Sequence, residues 1–138
     1  MKFASCIGQN LRGGETIELR SDLGGGKTTL VRGLAQGAGS SDQVASPTFT
    51  ISRVYNCPNN KRINHFDFYR LADPGLMQAE LGESVTDPMS VTVVEWANIV
   101  KEVLPDDRLV IELSSTGEDL RHVKVTAGKD HKHLLQGL

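Results

Sequence analysis

The stretch Ser21-Asp22-Leu23-Gly24-Gly25-Gly26-Lys27-Thr28-Thr29 decides the fold of this chain. It follows the pattern G-x-x-x-x-G-K-S/T, whose backbone N–H groups surround nucleotide phosphates, except that Ser21 stands where the first glycine belongs. Glycine suits such a loop because a side chain would block the approach of the backbone, and some positions need a positive φ. An ordinary glycine-rich turn before a helix is the alternative, so the flanking segments must decide.

The segments on either side of this stretch favour phosphate binding. Residues 16–19 alternate polar and apolar side chains as a strand does. Residues 28–38 place apolar side chains on one helical face, at Leu30, Val31, Leu34 and Ala38. A helix that follows the loop directs its N-terminus at the phosphates. We therefore expect Lys27 to neutralise the β and γ phosphates and the Thr28 hydroxyl to hold Mg²⁺.

Further strands and helices are predicted around this unit. We expect helices over 3–11, 73–81 and 98–103, and strands over 48–55, 62–69, 91–96, 109–113 and 122–126. The strands 48–55 and 62–69 flank a turn at 58–60 and predict an antiparallel hairpin. This order indicates an α/β fold with three layers around a mixed, mostly parallel central sheet. The 138 residues suit a single domain, 1–138.

Composition excludes several classes of protein. Fifteen basic against seventeen acidic residues leave no strongly basic surface, so we do not expect the chain to bind nucleic acid by itself. No apolar run approaches the ~20 residues of a membrane span, and we expect no membrane partner. Cys6 and Cys57 form no C-x-x-C pair, which favours the reducing cytoplasm. Fourteen glycines exceed the usual ~7%; outside the loop, we expect residues such as Gly37 to end elements.

Two acidic residues at strand ends are candidates for metal binding and catalysis. Glu95 ends the apolar run 91–94, which is typical of a strand buried on both faces. A carboxylate there is seldom mere packing because desolvating it unpaired is costly. A P-loop enzyme also needs an acidic residue at a neighbouring strand end for the Mg²⁺ shell. Asp67 is the second candidate, with a surface ion pair to Arg70 as the alternative.

The remaining candidates each have a structural alternative. Ser46-Pro47-Thr48-Phe49 presents hydroxyls that could sense a γ-phosphate, or it simply begins the next strand. Trp96 could stack on a nucleotide, although a lone Trp after a core strand usually packs. For His65 we favour a hydrogen-bonded strand histidine over a ligand, and for 131–133 a polar tail over a metal site.

Taken together, these residues resemble those of the TsaE (YjeE) family, the small ATPases of tRNA threonylcarbamoyladenosine (t6A) biosynthesis in bacteria. The resemblance runs over about 7–127 and rests on four segments in the same order. They are DLGGGKTTL at 22–30, SPTFT at 46–50, HFDFYRLADP at 65–74 and VEW at 94–96. The block H-F-D-x-Y-R-L is specific to this family among P-loop proteins.

The resemblance implies a P-loop fold that binds ATP with Mg²⁺ and hydrolyses it slowly. Lys27, Asp67 and Glu95 would be the catalytic residues, with Asp67 acting on the attacking water or on the switch. Thr28 and Glu95 would serve the metal. The nucleotide-binding residues would be Leu23, Gly24, Gly25, Gly26, Lys27, Thr28, Thr29, Thr48 and Trp96.

The resemblance also implies partners. In the family, the ATPase works with TsaD and TsaB, the pair that transfers threonylcarbamoyl to adenosine in tRNA. The resemblance implies that ATP turnover resets that assembly between cycles. We therefore expect TsaD- and TsaB-like partners, and tRNA only through the complex.

The sequence departs from the family pattern at Ser21 and near its N-terminus, where only Ile7-Gly8 of the usual T-x-x-L-G pattern is recognisable. Two alternatives stay open. One is a small P-loop kinase, although no arginine-rich lid is present. The other is an ATP-binding regulatory subunit whose hydrolysis is impaired by Ser21. A GTPase is disfavoured because no N-K-x-D element follows the loop.

Overall fold

Three α-helices and six strands occur in the part of the chain that the structure, a computed structural model, describes: residues 2–21, 26–44, 52–69, 75–115 and 121–138. The helices are α1 (Lys2–Gln9), α2 (Lys27–Gly37) and α3 (Leu76–Thr86). The strands are β1 (Thr16–Ser21), β2 (Ser52–Asn56), β3 (Arg62–Asp67), β4 (Ser90–Glu95), β5 (Leu109–Ser115) and β6 (Arg121–Ala127). None of the helices described has the length and apolar character needed to span a membrane.

The strands form one sheet with the order β2-β3-β4-β1-β5-β6. The central strand β1 is parallel to its neighbours β4 and β5, and β4 is parallel to β3. The outer strands β2 and β6 are antiparallel to β3 and β5. Within the described residues, three of the five strand pairings are therefore parallel, which confirms the predicted mixed, mostly parallel sheet.

Helices cover both faces of the sheet. Successive side chains of a strand point to opposite faces, so Val93 and Val94 of β4 belong to different apolar clusters. The cluster of Val93 includes Ile7 of α1 and Leu34 of α2, whereas that of Val94 includes Leu81 of α3. The fold therefore has the three layers that the sequence predicts.

The helices α1 and α2 approach each other closely at two glycines. A Cβ atom on Gly37 would collide with the Ser5 carbonyl oxygen, and one on Gly8 would collide with that of Leu34. Gly37 ends α2, as expected, but it also allows the backbones of the two helices to touch. The position of Gly37 in the sequence does not indicate this second role.

Two predicted helices differ from the structure by three or more residues at an end. The helix predicted over 73–81 begins at Leu76 in the described part and continues to Thr86. It passes Gly82 because Val85 packs against the cluster of Leu81 and the Ser84 hydroxyl shares a hydrogen bond with Thr92. The helix predicted over 98–103 is present only as the 3₁₀ turn Ala97–Ile99, after which the backbone leaves helical geometry.

The C-terminal residues form a 3₁₀ segment, Lys129–Leu135, where we expected a polar tail. Leu134 is fully buried in the core, and the side-chain amide of Asn10 donates to the carbonyl oxygens of Leu134 and Gln136. Burial of one leucine, together with these hydrogen bonds, explains why the segment packs on α1 instead of extending into solvent.

Candidate functional site

Parallel strands bring the predicted residues to one edge of the sheet. Because β1, β3 and β4 are parallel, their carboxyl ends lie at the same edge. Asp67 and Glu95 face each other in register as the last residues of β3 and β4, and Lys27 begins α2 shortly after β1. The predicted site residues that lie outside the described part are Leu23, Gly24, Gly25 and Thr48.

The start of α2 depends on Gly26. Its φ of 90° and ψ of 18° place it in the left-handed region, where a side chain would be strained. The Gly26 carbonyl accepts the first helical hydrogen bond, from Leu30 N–H at 3.0 Å. Thr28 is half-buried and Thr29 is exposed in the first turn that follows. The free N–H groups and positive dipole of this turn are suited to an anion.

Lys27 reaches back across this edge of the sheet. Its side chain is almost buried, and the ammonium Nζ donates to the Ser21 carbonyl oxygen at 3.2 Å. The same Nζ lies 4.5 Å from the centroid of the Trp96 ring, within the range of a cation–π contact. Since the contact at position 21 is made by a backbone carbonyl, any residue type there could supply it.

The two carboxylates at the strand ends lie in different surroundings. Glu95 is 3% exposed, whereas Asp67 is half-buried. Burial raises the pKa of the Asp67 carboxyl, and the nearby charge of Glu95 raises it further, although a hydrogen bond from Tyr69 N–H at 3.0 Å opposes both. Asp67 therefore accepts a proton more readily than an ordinary aspartate.

Glu95 is held by a fully buried histidine. His65 Nε2 lies 2.6 Å from Glu95 Oε2, and the Tyr55 hydroxyl lies 3.4 Å from His65 Nδ1. His65 is thus the hydrogen-bonded strand histidine that we predicted. Its partner, one strand away on β4, is a residue that the sequence singles out for a separate reason.

Trp96 occupies an unusual backbone conformation beside these groups. Its φ is 57° and its ψ is 54°, a left-handed conformation that is uncommon for a residue with a side chain. The ring contacts that of Tyr69, with centroids 4.8 Å apart, and lies under the ammonium of Lys27. Strained residues of this kind cluster at functional sites. Trp96 therefore stays a candidate site residue.

The oxygen donors at this edge suit a divalent cation that also binds phosphate. Glu95 and the Thr28 hydroxyl, the predicted metal-binding residues, could supply oxygen ligands, which Mg²⁺ prefers, and Asp67 adds a second carboxylate nearby. Among the described residues, no group of three or more His, Cys, Asp or Glu side chains could hold a metal by itself. Mg²⁺ typically binds through one or two carboxylates plus substrate phosphates, so the donor set fits a metal that arrives with a nucleotide.

Sequence reasoning missed an ion-pair cluster on β1. Glu18 is buried, and its carboxylate contacts Arg20 at 2.7 Å and Arg108 at 2.9 Å. Burial raises the pKa of Glu18, but the two arginines outweigh it and hold that pKa below its usual range. With Trp96 and Asn98, Glu18 and Arg20 line a cavity beside the site. The arginine two residues after Glu18 was the available signal, because it lies on the same face of the strand.

Comparison with known proteins places the chain in a family. The family model described as "Threonylcarbamoyl adenosine biosynthesis protein TsaE" matches residues 1–123. The chain is 39% identical to the tRNA threonylcarbamoyladenosine biosynthesis protein TsaE of Bacillus subtilis, over 83% of this chain and 70% of that protein. It is 42% identical to the protein of the same name from Streptomyces coelicolor, over 84% and 82% of the two chains.

A solved structure shares the fold. The crystal structure of Bacillus subtilis YdiB superimposes with a TM-score of 0.71 at 32% identity, covering 96% of this chain and 81% of YdiB. The three-layer arrangement and the mixed sheet are therefore those of the P-loop fold, as predicted. Because the family match extends over most of the chain, this protein belongs to the TsaE family of tRNA threonylcarbamoyladenosine biosynthesis.

Proposed function

We propose that this chain binds ATP with Mg²⁺ and hydrolyses it slowly as the ATPase subunit of the t6A machinery. It acts in the cytoplasm with TsaD- and TsaB-like partners and meets tRNA only through that complex. Residues 1–138 form its P-loop ATPase domain. The observation that carries the proposal is the position of Lys27, at the start of α2, beside the register pair Asp67 and Glu95.

In this proposal, some of the described residues bind the phosphates and Mg²⁺, and another transfers a proton. The Lys27 ammonium and the N–H groups of the first turn of α2 neutralise and orient the phosphates. Thr28 and Glu95 hold Mg²⁺, which supplies further positive charge against the phosphates when it is bound. Asp67 orients the attacking water and takes its proton, a role that its raised pKa favours.

Measuring ATP binding and ATP turnover in the same variants distinguishes the residue that binds phosphate from the two carboxylates that serve hydrolysis. Lys27→Ala removes the buried ammonium, so we expect ATP binding to be lost in calorimetry, whereas Lys101→Ala, at an exposed position, keeps it. Asp67→Ala and Glu95→Ala keep ATP binding and lose turnover. An unchanged affinity in Lys27→Ala would remove the basis of the P-loop assignment.

The fate of the γ-phosphate distinguishes the ATPase from a kinase. With the TsaD–TsaB pair present, we expect the purified protein to release inorganic phosphate. Transfer to an acceptor other than water would contradict the proposal.

Ser21→Gly tests whether Ser21 impairs hydrolysis. Since Lys27 contacts the backbone carbonyl at this position, we expect turnover to change by less than about threefold, roughly 0.65 kcal/mol in activation free energy. A much larger gain in turnover would favour the regulatory alternative, in which Ser21 impairs hydrolysis.

A further inference from the structure

His65 contacts the site through Glu95 rather than directly. The histidine is fully buried on β3, and its Nε2 lies 2.6 Å from Glu95 Oε2 on the neighbouring strand. An ionised carboxylate has no hydrogen to donate, so Nε2 carries the hydrogen of this bond. In a neutral imidazole, Nδ1 is then an acceptor, and the Tyr55 hydroxyl at 3.4 Å donates to it.

The other oxygen of the Glu95 carboxylate remains available. Within the described residues, no hydrogen-bond donor contacts Glu95 Oε1. The same is true of Asp67 Oδ2, since Tyr69 N–H donates to Oδ1. Each carboxylate at this edge thus has one oxygen held by the protein and one that can meet a ligand.

We propose that His65 is a positioning residue, which fixes Glu95 through Oε2 so that Oε1 meets the magnesium–nucleotide, and that Tyr55 fixes the orientation of the imidazole. The inference rests on the proposed function, because it takes Glu95 as a residue that serves the metal. Hydrogen bonds that orient metal-binding side chains in this way typically contribute 10–100-fold to metal affinity or activity.

Two substitutions of His65 separate positioning from packing. Both His65→Gln and His65→Asn replace the buried ring with a smaller amide, so a structural role predicts similar losses in both. The amide nitrogen of Gln reaches the place of Nε2 and can still donate to Glu95, whereas that of Asn lies nearer the place of Nδ1. Only a positioning role predicts that the two variants differ.

The experiment measures how nucleotide binding depends on Mg²⁺. Calorimetric titration of ATP at a series of Mg²⁺ concentrations gives the half-saturating concentration of the metal, and a titration in EDTA gives the metal-free affinity. We expect His65→Asn to raise the half-saturating Mg²⁺ concentration at least tenfold and His65→Gln to raise it less than threefold. The metal-free affinity stays within about twofold in both variants.

His133 supplies a matched control. Its Nε2 contacts Glu15 Oε2 at 2.8 Å in the same kind of pair, but with residues outside the proposed site. His133→Asn lowers the melting temperature and leaves the Mg²⁺ dependence unchanged. If His65→Asn and His65→Gln share one Mg²⁺ dependence, the inference is overturned and His65 is a packing residue only.

A second variant covers the case in which His65→Asn does not fold. Tyr55→Phe keeps the aromatic ring and removes the hydroxyl near Nδ1, and we expect it to raise the half-saturating Mg²⁺ concentration two- to fivefold. An unchanged value overturns the inference. Failure of the proposed function looks different, because the wild-type protein would then show no ATP turnover and Lys27→Ala would bind ATP normally.

Discussion

The parallel strands β1, β3 and β4 end at one edge of the sheet, the carboxyl edge, and begin at the opposite one, the amino edge. A histidine–carboxylate pair lies near each of these edges, and the two pairs differ in their hydrogen bonds. At the carboxyl edge His65 holds Glu95, and Oε1 of that carboxylate has no donor within the described residues. At the amino edge Glu15 accepts from His133 at 2.8 Å and from the backbone N–H groups of Arg12 and Gly13 at 2.8 and 2.7 Å. Both oxygens of Glu15 are therefore used inside the protein.

A second histidine strengthens the amino edge. His131 Nε2 accepts from Thr16 N–H at 3.0 Å, and its Nδ1 lies 2.9 Å from Asp107. Because Thr16 is the first residue of the central strand β1, this contact joins the C-terminal 3₁₀ segment to the middle of the sheet. At the amino edge, the two histidines complete the hydrogen bonds of buried groups and so stabilise the fold.

The carboxylates at the two edges also differ in the direction in which their pKa is shifted. Burial alone would raise the pKa of Glu15, but the hydrogen bonds from His133 and the backbone outweigh it and lower the pKa. At the carboxyl edge, burial and the charge of Glu95 raise the pKa of Asp67. Ionised Glu15 therefore stabilises the fold, whereas ionised Asp67 costs stability.

Among the variants that test the difference between the two edges, we expect the largest effect for Asp67→Asn, and we expect it on ATP turnover. Loss of a general base typically lowers the rate about 10²–10⁴-fold, and we expect ATP turnover to fall within that range. The free energy of unfolding stays equal or rises, because the substitution removes a carboxylate whose ionised form is disfavoured by burial. Turnover assays and urea unfolding at neutral pH measure both quantities; a clear loss of stability would contradict the comparison.

The next largest effect is expected for His131→Ala at the amino edge. The substitution leaves the Thr16 N–H in the core without its acceptor, which costs about 1–3 kcal/mol of unfolding free energy. Urea unfolding measures the loss, and turnover per folded molecule stays that of the wild type. His122→Ala, at an exposed position on β6, serves as the control and leaves stability unchanged. Equal stabilities of the two variants would rule out the structural role of His131.

The pH dependence of stability is expected to have opposite signs at the two edges. The contribution of Glu15 is complete above its ordinary pKa of 4.5 and is lost as the pH falls through its lowered folded-state pKa. Glu15→Gln therefore costs about 1–2 kcal/mol at neutral pH and progressively less in acid. For Asp67, stability instead rises as the pH falls through the raised pKa towards 3.8.

Urea unfolding between pH 7 and pH 3 tests these signs. Any stability gained by Asp67→Asn at neutral pH disappears in acid, where the wild-type carboxyl is protonated in both states. A gain that is constant over the whole range would show that charge is not its cause.

The smallest effect is expected for Thr16→Val. The Thr16 hydroxyl is a buried polar group without a hydrogen-bond partner in the described residues, so the isosteric valine removes a desolvation penalty. We expect the free energy of unfolding to rise by up to about 1 kcal/mol without any change in turnover. A loss of stability, measured by urea unfolding, would indicate that the hydroxyl has a partner, such as an ordered water molecule.

Much of the candidate site is predictable because its residues belong to short sequence patterns, which indicate the local secondary structure and the charged groups within it. The spacing of glycines and Lys27, followed by an amphipathic helix, predicts a strand, a turn and a helix in that order. Glu95 is singled out because it ends an apolar run, and the carboxyl ends of parallel strands share one edge. These features need only the periods of strands and helices and the cost of burying a charge.

Partners across the sheet were not predictable in the same way. The pattern around His65 indicates a strand histidine but does not identify Glu95 as its partner, because that contact depends on β3 and β4 being neighbours in register. The polar positions of β1 were expected to alternate with buried ones, yet Glu18 is buried as well, since the central strand is covered on both faces. The 3₁₀ segment that carries His131 has no strong periodicity.

The sequence by itself therefore determined the family, the class of fold and the residues that carry charge at the carboxyl edge of the sheet, because each depends on short-range spacing. Only the tertiary structure decided which carboxylate each histidine holds. It also decided that Gly37 lies where α1 and α2 cross, and that the pKa of Asp67 is raised whereas that of Glu15 is lowered. The physical reason is that hydrogen-bond partners and desolvation are set by neighbours in space, which lie 30 residues apart for His65 and Glu95 and 118 apart for Glu15 and His133.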